Sequence, residues 1–406
     1  MGRLPDNSVV SPTLDKHRIR VVAIGDIGVS DGVIHIGDEA MFEALVTELR
    51  SRGVHEIVGI SSNPADSRAR YDIDAIDRIG FSGSRGQMAN RMSAVLRAAD
   101  GEPGALEAGD SAWAVIAAIR SSDGVAIAGG GNLASTWPLH IFERATIAEL
   151  ARLFERPLVI SGQTLGPELS EADRALVARM LASARLVGVR EQSSFALAAT
   201  LGVTATATID DASFLGAFAS TRPYCLVTFS THLGGIDPAT FVDRAVELLD
   251  SIELEPVFLA HFGSTLDNRV VGDSILHERV RARTGGRVVV PTDAIAAATL
   301  AREASLVVTS RYHPAVFAVS SGVPTIGIPV DEYTRVKLSG ALGNFGQAGI
   351  LPMADLVNGA GPALAATVWA GRDSIRADSA PVIAENRAAS TEWWNRVARE
   401  FGAGTN

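Results

Sequence analysis

Arg311 and His313 stand two residues apart in Ser310-Arg311-Tyr312-His313, directly after the β-branched run Leu306-Val307-Val308-Thr309. A guanidinium is a permanent cation whose fork suits a phosphate or carboxylate. An imidazole can move a proton near neutral pH. If extended backbone persists through the turn, both side chains leave on the same side. The plainer reading is an exposed arginine and a histidine that caps the helix opened by Pro314. Leu306–Thr309 reads as a buried parallel strand, residues 315–320 as an apolar helix closed by Gly322, and Thr325–Ile328 as the next strand. Ligands of open α/β sheets bind outside the carboxyl ends of strands. Arg311 and His313 occupy that place.

The elements that must hold this pair repeat one pattern. Strands are expected at 19–24, 55–60, 124–128, 157–160, 186–189 and 206–209, with helices at 40–50, 113–120, 139–154, 170–184 and 192–201. After Thr221-Arg222-Pro223, a plausible hinge, a second set follows. Its strands are expected at 224–229, 256–260, 287–290, 306–309 and 325–328, and its helices at 238–249, 273–284 and 293–303. Such alternation predicts an α/β protein of two doubly wound, Rossmann-like domains, 18–220 and 221–375. Residues 376–402, carrying Trp393 and Trp394 on a helical pattern, form a closing helix. Residues 1–17 read as a loose leader, and 61–104 as a mixed polar region with a loop at Ser82–Gly86.

Composition excludes several classes. Hydrophobic residues make up 47% and charged residues 20%, the balance of a folded chain with a large core. A formal net charge of -10 with no basic block argues against a nucleic-acid partner. Cys225 is the one cysteine and lies in an apolar run, which suits a small buried hydrophobe in a reducing compartment. No signal-peptide core and no window of ~18 apolar residues is present, so a cytoplasmic protein is expected. Gly25-x-x-Gly28 lacks the dinucleotide spacing, no Walker-A lysine appears, and the eight histidines are dispersed without ligand spacing. No metal is therefore expected, and Asp210-Asp211 reads as a turn cap. Glycine loops at 25–28, 129–132, 162–166 and 234–235 would expose N–H groups to an anion, although tight turns need glycine anyway.

Five segments together carry a resemblance. They are Gly37-Asp38-Glu39-Ala40, Gly129-Gly130-Gly131-Asn132-Leu133, Gly162-Gln163-Thr164-Leu165-Gly166-Pro167, Val189-Arg190-Glu191-x-x-Ser194, and Ser310-Arg311-Tyr312-His313 with Gly322-Val323-Pro324 one helix later. In this order, over about residues 19–345, the chain resembles the polysaccharide pyruvyl transferase family. The resemblance implies two domains similar to the B-type glycosyltransferases, with the site in the cleft between them. It implies transfer of pyruvate from phosphoenolpyruvate to a sugar, commonly as a cyclic ketal, without a cofactor beyond that co-substrate.

By the same resemblance, Arg311 and His313 serve donor binding and catalysis, Arg190 joins the donor side, and Asp38 and Asn132 line the acceptor side; Lys337 is a further donor-side candidate, and Glu39 and Gln163 are further acceptor-side candidates. His313 would be the acid that protonates the methylene carbon or the base for the hydroxyl, and Asp38 or Glu39 would orient or activate the sugar. The partners implied are a small donor and a carbohydrate acceptor. Peripheral membrane contact through a lipid-linked acceptor and homo-oligomerisation stay open. Two other readings compete. One is a nucleotide-sugar glycosyltransferase, with Arg311 and Lys337 on a diphosphate and Glu332 on a ribose. The other is a non-catalytic relative that binds a sugar or anion.

Overall fold

Short buried runs separated by amphipathic segments build the alternation seen in the computed structural model, which describes residues 18–217, 220–266 and 269–404. The leader read over 1–17 lies outside the described residues. In chain order the first strands are β1 (Arg20–Ile24), β2 (Val33–His35), β3 (Glu56–Ser61), β4 (Asp74–Asp77) and β5 (Gly124–Ile127). Then come β6 (Gly130–Leu133), β7 (Leu158–Leu165), β8 (Leu186–Val189) and β9 (Thr206–Ala207). The second half holds β10 (Tyr224–Thr228), β11 (Glu255–Leu259), β12 (Phe262–Ser264), β13 (Arg287–Val289), β14 (Leu306–Thr309) and β15 (Thr325–Gly327).

The first sheet runs β4-β3-β1-β5-β7-β8-β9 with β6 beside β7, and the second runs β13-β11-β10-β14-β15. Every pairing within these two sheets is parallel. Parallel strands need crossover helices on both faces, which explains why their sequences are apolar throughout rather than alternating. The last strand of the first sheet ends at Ala207 and the first strand of the second begins at Tyr224, with Thr221-Arg222-Pro223 between them. Cys225 lies buried in β10 as a free thiol.

Several elements differ from the expectation. The glycine-rich stretch before Asp38 contains β2, which pairs antiparallel with β12 of the other domain: His35 with Phe262, Ile34 with Gly263, Val33 with Ser264. Three-residue strands whose partners are more than 200 residues away leave no periodic signal. The polar region 61–104 holds the helices Pro64–Tyr71 and Arg85–Ala99, the second started by a capping box between Ser84 and Gln87. The helix after β14 begins at Tyr312, two residues before Pro314, so Arg311 is its N-cap. The last helix runs Arg372–Glu400 with Pro381 inside it, earlier than 376. Its C-terminal end crosses back to the first domain. Trp393 and Trp394 are buried there with Val21, Ala23 and Phe42, and Trp393 Nε1 donates to Ser161 Oγ at 2.9 Å.

Candidate active site

The two domains enclose a cleft of about 930 Å³. Asp38, His35, Thr136, Trp137 and Glu168 line it from the first domain; Ser230, Arg311, Tyr312, His313, Tyr333 and Lys337 line it from the second. Carboxyl-end loops of both sheets supply these residues, as the topology requires.

Arg311 leaves the end of β14 and is held in two places by Asp273, its Nε donating to Oδ2 at 3.0 Å and its Nη2 to Oδ1. The arginine side chain keeps 31% of its surface exposed, whereas Asp273 has none. Asp273 also accepts the N–H groups of His261 at 3.2 Å and Phe262 at 2.9 Å. One buried carboxylate thus fixes both the arginine and the start of β12. Asp273 carried no sequence signal beyond a helix start.

His313 sits in the first turn of the helix Tyr312–Val319 and is buried. Its Nε2 lies 3.7 Å from Asp210 Oδ2 and makes no hydrogen bond. Its other edge packs against Gly37 across the cleft, where an added Cβ would overlap the ring. Burial, with Arg190 and Lys337 nearby, holds this imidazole well below its usual value, so the ring is uncharged at neutral pH.

Lys337 projects from the helix Glu332–Gly343. Its Nζ lies 4.9 Å from the Tyr312 ring centre, 4.7 Å from that of Tyr333, and 3.3 Å from the Tyr333 hydroxyl. No carboxylate among the described residues forms a salt bridge with it. The sequence has only two lysines, Lys16 and Lys337, among 36 basic residues. Where arginine is otherwise used, the cleft has the compact ammonium.

Asp38 lines the same cleft from the first turn of the helix Ile36–Arg50. Burial pushes its carboxyl up to about 7, the carboxylates of Asp26 and Glu39 add to the rise, and Lys337 and Arg144 oppose it. A carboxyl of that strength exchanges a proton near neutral pH.

Four residues expected at the site do not line the cleft. Arg190 is fully buried beneath it, its Nη1 on Asp210 and its Nε on Thr164 at 2.8 Å and Glu191 at 3.1 Å, with its guanidinium 4.5 Å from the Tyr312 ring centre. Its charge acts on Tyr312, His313 and Tyr333, and its Nη2 has no hydrogen-bond partner. Glu39 lies one step around the helix from Asp38 and faces inward, accepting from Gly28 N at 2.9 Å and from the Tyr71 hydroxyl. Gln163 is buried and donates to Ala128 O at 2.6 Å, and Asn132 is buried on β6. Arg190, Glu39 and Gln163 tie the floor together, whereas Asn132 Oδ1 has no hydrogen-bond partner. Asp210 caps the turn Asp211–Phe214 through Ala212 N at 2.9 Å, in keeping with the cap reading.

Residues missed from sequence include Tyr333, whose hydroxyl donates to Gly131 O across the cleft. Trp137 on the rim was missed too. Tyr333 lies in the first turn of its helix and Trp137 just before another, and a single aromatic residue at a helix start adds nothing to a periodic pattern.

Two Rossmann-like domains with a shared cleft define the B-type glycosyltransferase fold. Solved structures agree in shape. Staphylococcus aureus MnaA with UDP matches at a TM-score of 0.56 and 14% identity, covering 96% of this chain and 98% of that one. The calicheamicin glycosyltransferase CalG4 matches at 0.54 and 15%, covering 96% and 100%. Arabidopsis thaliana UGT89C1 with quercetin matches at 0.57 and 9%, covering 95% and 100%. No curated protein matches the chain. The family model for polysaccharide pyruvyl transferase matches residues 35–332, most of the chain, and the protein belongs to that family. Its members are transferases of polysaccharide biosynthesis. No helix among the described residues is long and apolar enough to cross a membrane.

Proposed function

We propose that this protein transfers pyruvate from phosphoenolpyruvate to a sugar of a glycan or glycan precursor, closes a ketal and releases phosphate. The observation that carries this reading is the meeting of Arg311, Lys337, His313 and Asp38 in one cleft. Phosphoenolpyruvate brings a phosphate and a carboxylate, and two cations stand ready for them. Arg311 offers a fixed fork and Lys337 a point charge.

The sugar hydroxyl gives its proton to Asp38 as its oxygen bonds to the central carbon of the donor. The methylene carbon takes a proton from His313 and becomes a methyl group. Burial first, and then the nearby cations, disfavour a charged His313 in the free site; the negative charge of the bound donor offsets the cations and favours the imidazolium, whose proton is taken up from solvent. The C–O bond to phosphate then breaks. A second hydroxyl of the same sugar bonds to the central carbon, its proton leaves with phosphate, and the ketal is complete.

Phosphate release from phosphoenolpyruvate with a panel of sugar acceptors tests the scheme. Arg311→Ala and His313→Ala are each expected to lower kcat/KM by about 10²–10⁴-fold. Turnover near wild type in both would end the assignment. Stabilisation by uridine or guanosine diphosphate, without any by phosphoenolpyruvate, would favour nucleotide-sugar transfer instead.

A further inference from the structure

Trp137 has no part in this chemistry, yet it lines the cleft with 46% of its surface exposed. Its loop is tied down. Trp137 N donates to Ala134 O at 2.9 Å, Ser135 N to Glu168 O at 2.9 Å, and Ser170 N to Ser135 Oγ at 2.7 Å. Ser135 Oγ in turn donates to Asp173, which Arg85 also engages while reaching Ser135 O at 3.1 Å. Pro138 then opens the next helix. The half of the indole left in water on a fixed loop gains nothing from folding, so a ligand that covers that face adds burial the fold has not used.

Its neighbours on the cleft wall narrow the ligand. Thr136 and Glu168 are exposed beside it and line the same cleft. The ring of a pyranose presents a face of C–H groups and an edge of hydroxyls. An aromatic face covers the first, and a carboxylate or hydroxyl accepts from the second. The cation nearest this loop, Arg85, is paired with Asp173 and does not line the cleft. The reacting groups differ in kind: His313 is buried, and its ring packs on Gly37 at the floor. Floor and rim therefore serve different parts of the acceptor.

We infer that Trp137, with Thr136 and Glu168, forms a subsite for a second sugar unit, next to the unit that receives pyruvate. The acceptor is then an oligosaccharide or longer glycan rather than a single sugar. This rests on the pyruvyl-transfer reading.

The test compares methyl glycosides of single sugars with the matching di- and trisaccharides, in wild type, Trp137→Phe and Trp137→Ala. Wild type is expected to favour the longer acceptor by tenfold or more in kcat/KM. The ratio should fall close to one in Trp137→Ala, be largely kept in Trp137→Phe, and leave KM for phosphoenolpyruvate where it was. An unchanged ratio in Trp137→Ala, or no preference in wild type, overturns the subsite. If no sugar drives turnover, the pyruvyl-transfer reading fails on its own. The subsite is then judged by tryptophan fluorescence titrated with the same trisaccharides: a change in wild type that Trp137→Phe abolishes supports it, and an equal response in both overturns it.

Discussion

Asp38 and Glu39 are neighbours of one chemical type, and their surroundings give them separate work. Glu39 faces inward onto Tyr71 and Gly28, while Asp38 faces the cleft with its carboxyl pushed up to about 7 by burial and by Asp26 and Glu39. A base must be ionised to act, so the raised value places its limb near neutrality. The expected profile of kcat/KM for the acceptor rises tenfold per pH unit below about 7 and levels above it. Asp38→Asn should remove that limb and lower the rate by about 10²–10⁴-fold. A rate that instead falls as pH rises through 7 would make Asp38 the acid and give His313 the proton-accepting role.

The strand end and the helix start are the elements that aim these groups, and Asp273 joins them. Its carboxylate takes Arg311 from β14 and the first N–H groups around β12. Asp273→Ala strands two buried donors and frees the arginine, so a loss of ~1–3 kcal/mol is expected in urea melts. KM for phosphoenolpyruvate should rise in the same variant. An unchanged KM would mean that Arg311 is aimed by something else.

Much of this scale was legible beforehand. Leu306–Thr309 showed itself as a buried strand because β-branched runs do, and Arg311 and His313 followed it. Asp273 did not show itself, since an acid at a helix start is commonplace and its partner lies 38 residues away. Arg190, Gln163 and Asn132 were legible as segments, but their burial was not, because alternate strand positions face opposite sides and only the fold decides which side is the cleft. The β2–β12 ribbon was invisible for the same reason of distance.

At the scale of the molecule, the second domain is joined to the first by many contacts, of which three stand out. The ribbon is one; the Tyr333 contact to Gly131 is another. The last helix is the third, delivering Trp394 into the first domain's core. Trp394→Ala should cost ~3–5 kcal/mol. Because the helix belongs to both domains, unfolding in urea should stay a single transition by circular dichroism and by fluorescence. Two separated transitions would show that these contacts do not couple the halves.

Lys337 has a practical consequence through its rarity. A lysine-specific protease has two bonds to cut in this chain, after Lys16 and after Lys337. The second cut divides the helix Glu332–Gly343 beside the proposed donor site. Cleavage there needs that helix to open. The rate at which a native sample releases the piece that follows Lys337 thus reads the local stability of the donor wall, with no label and no altered residue.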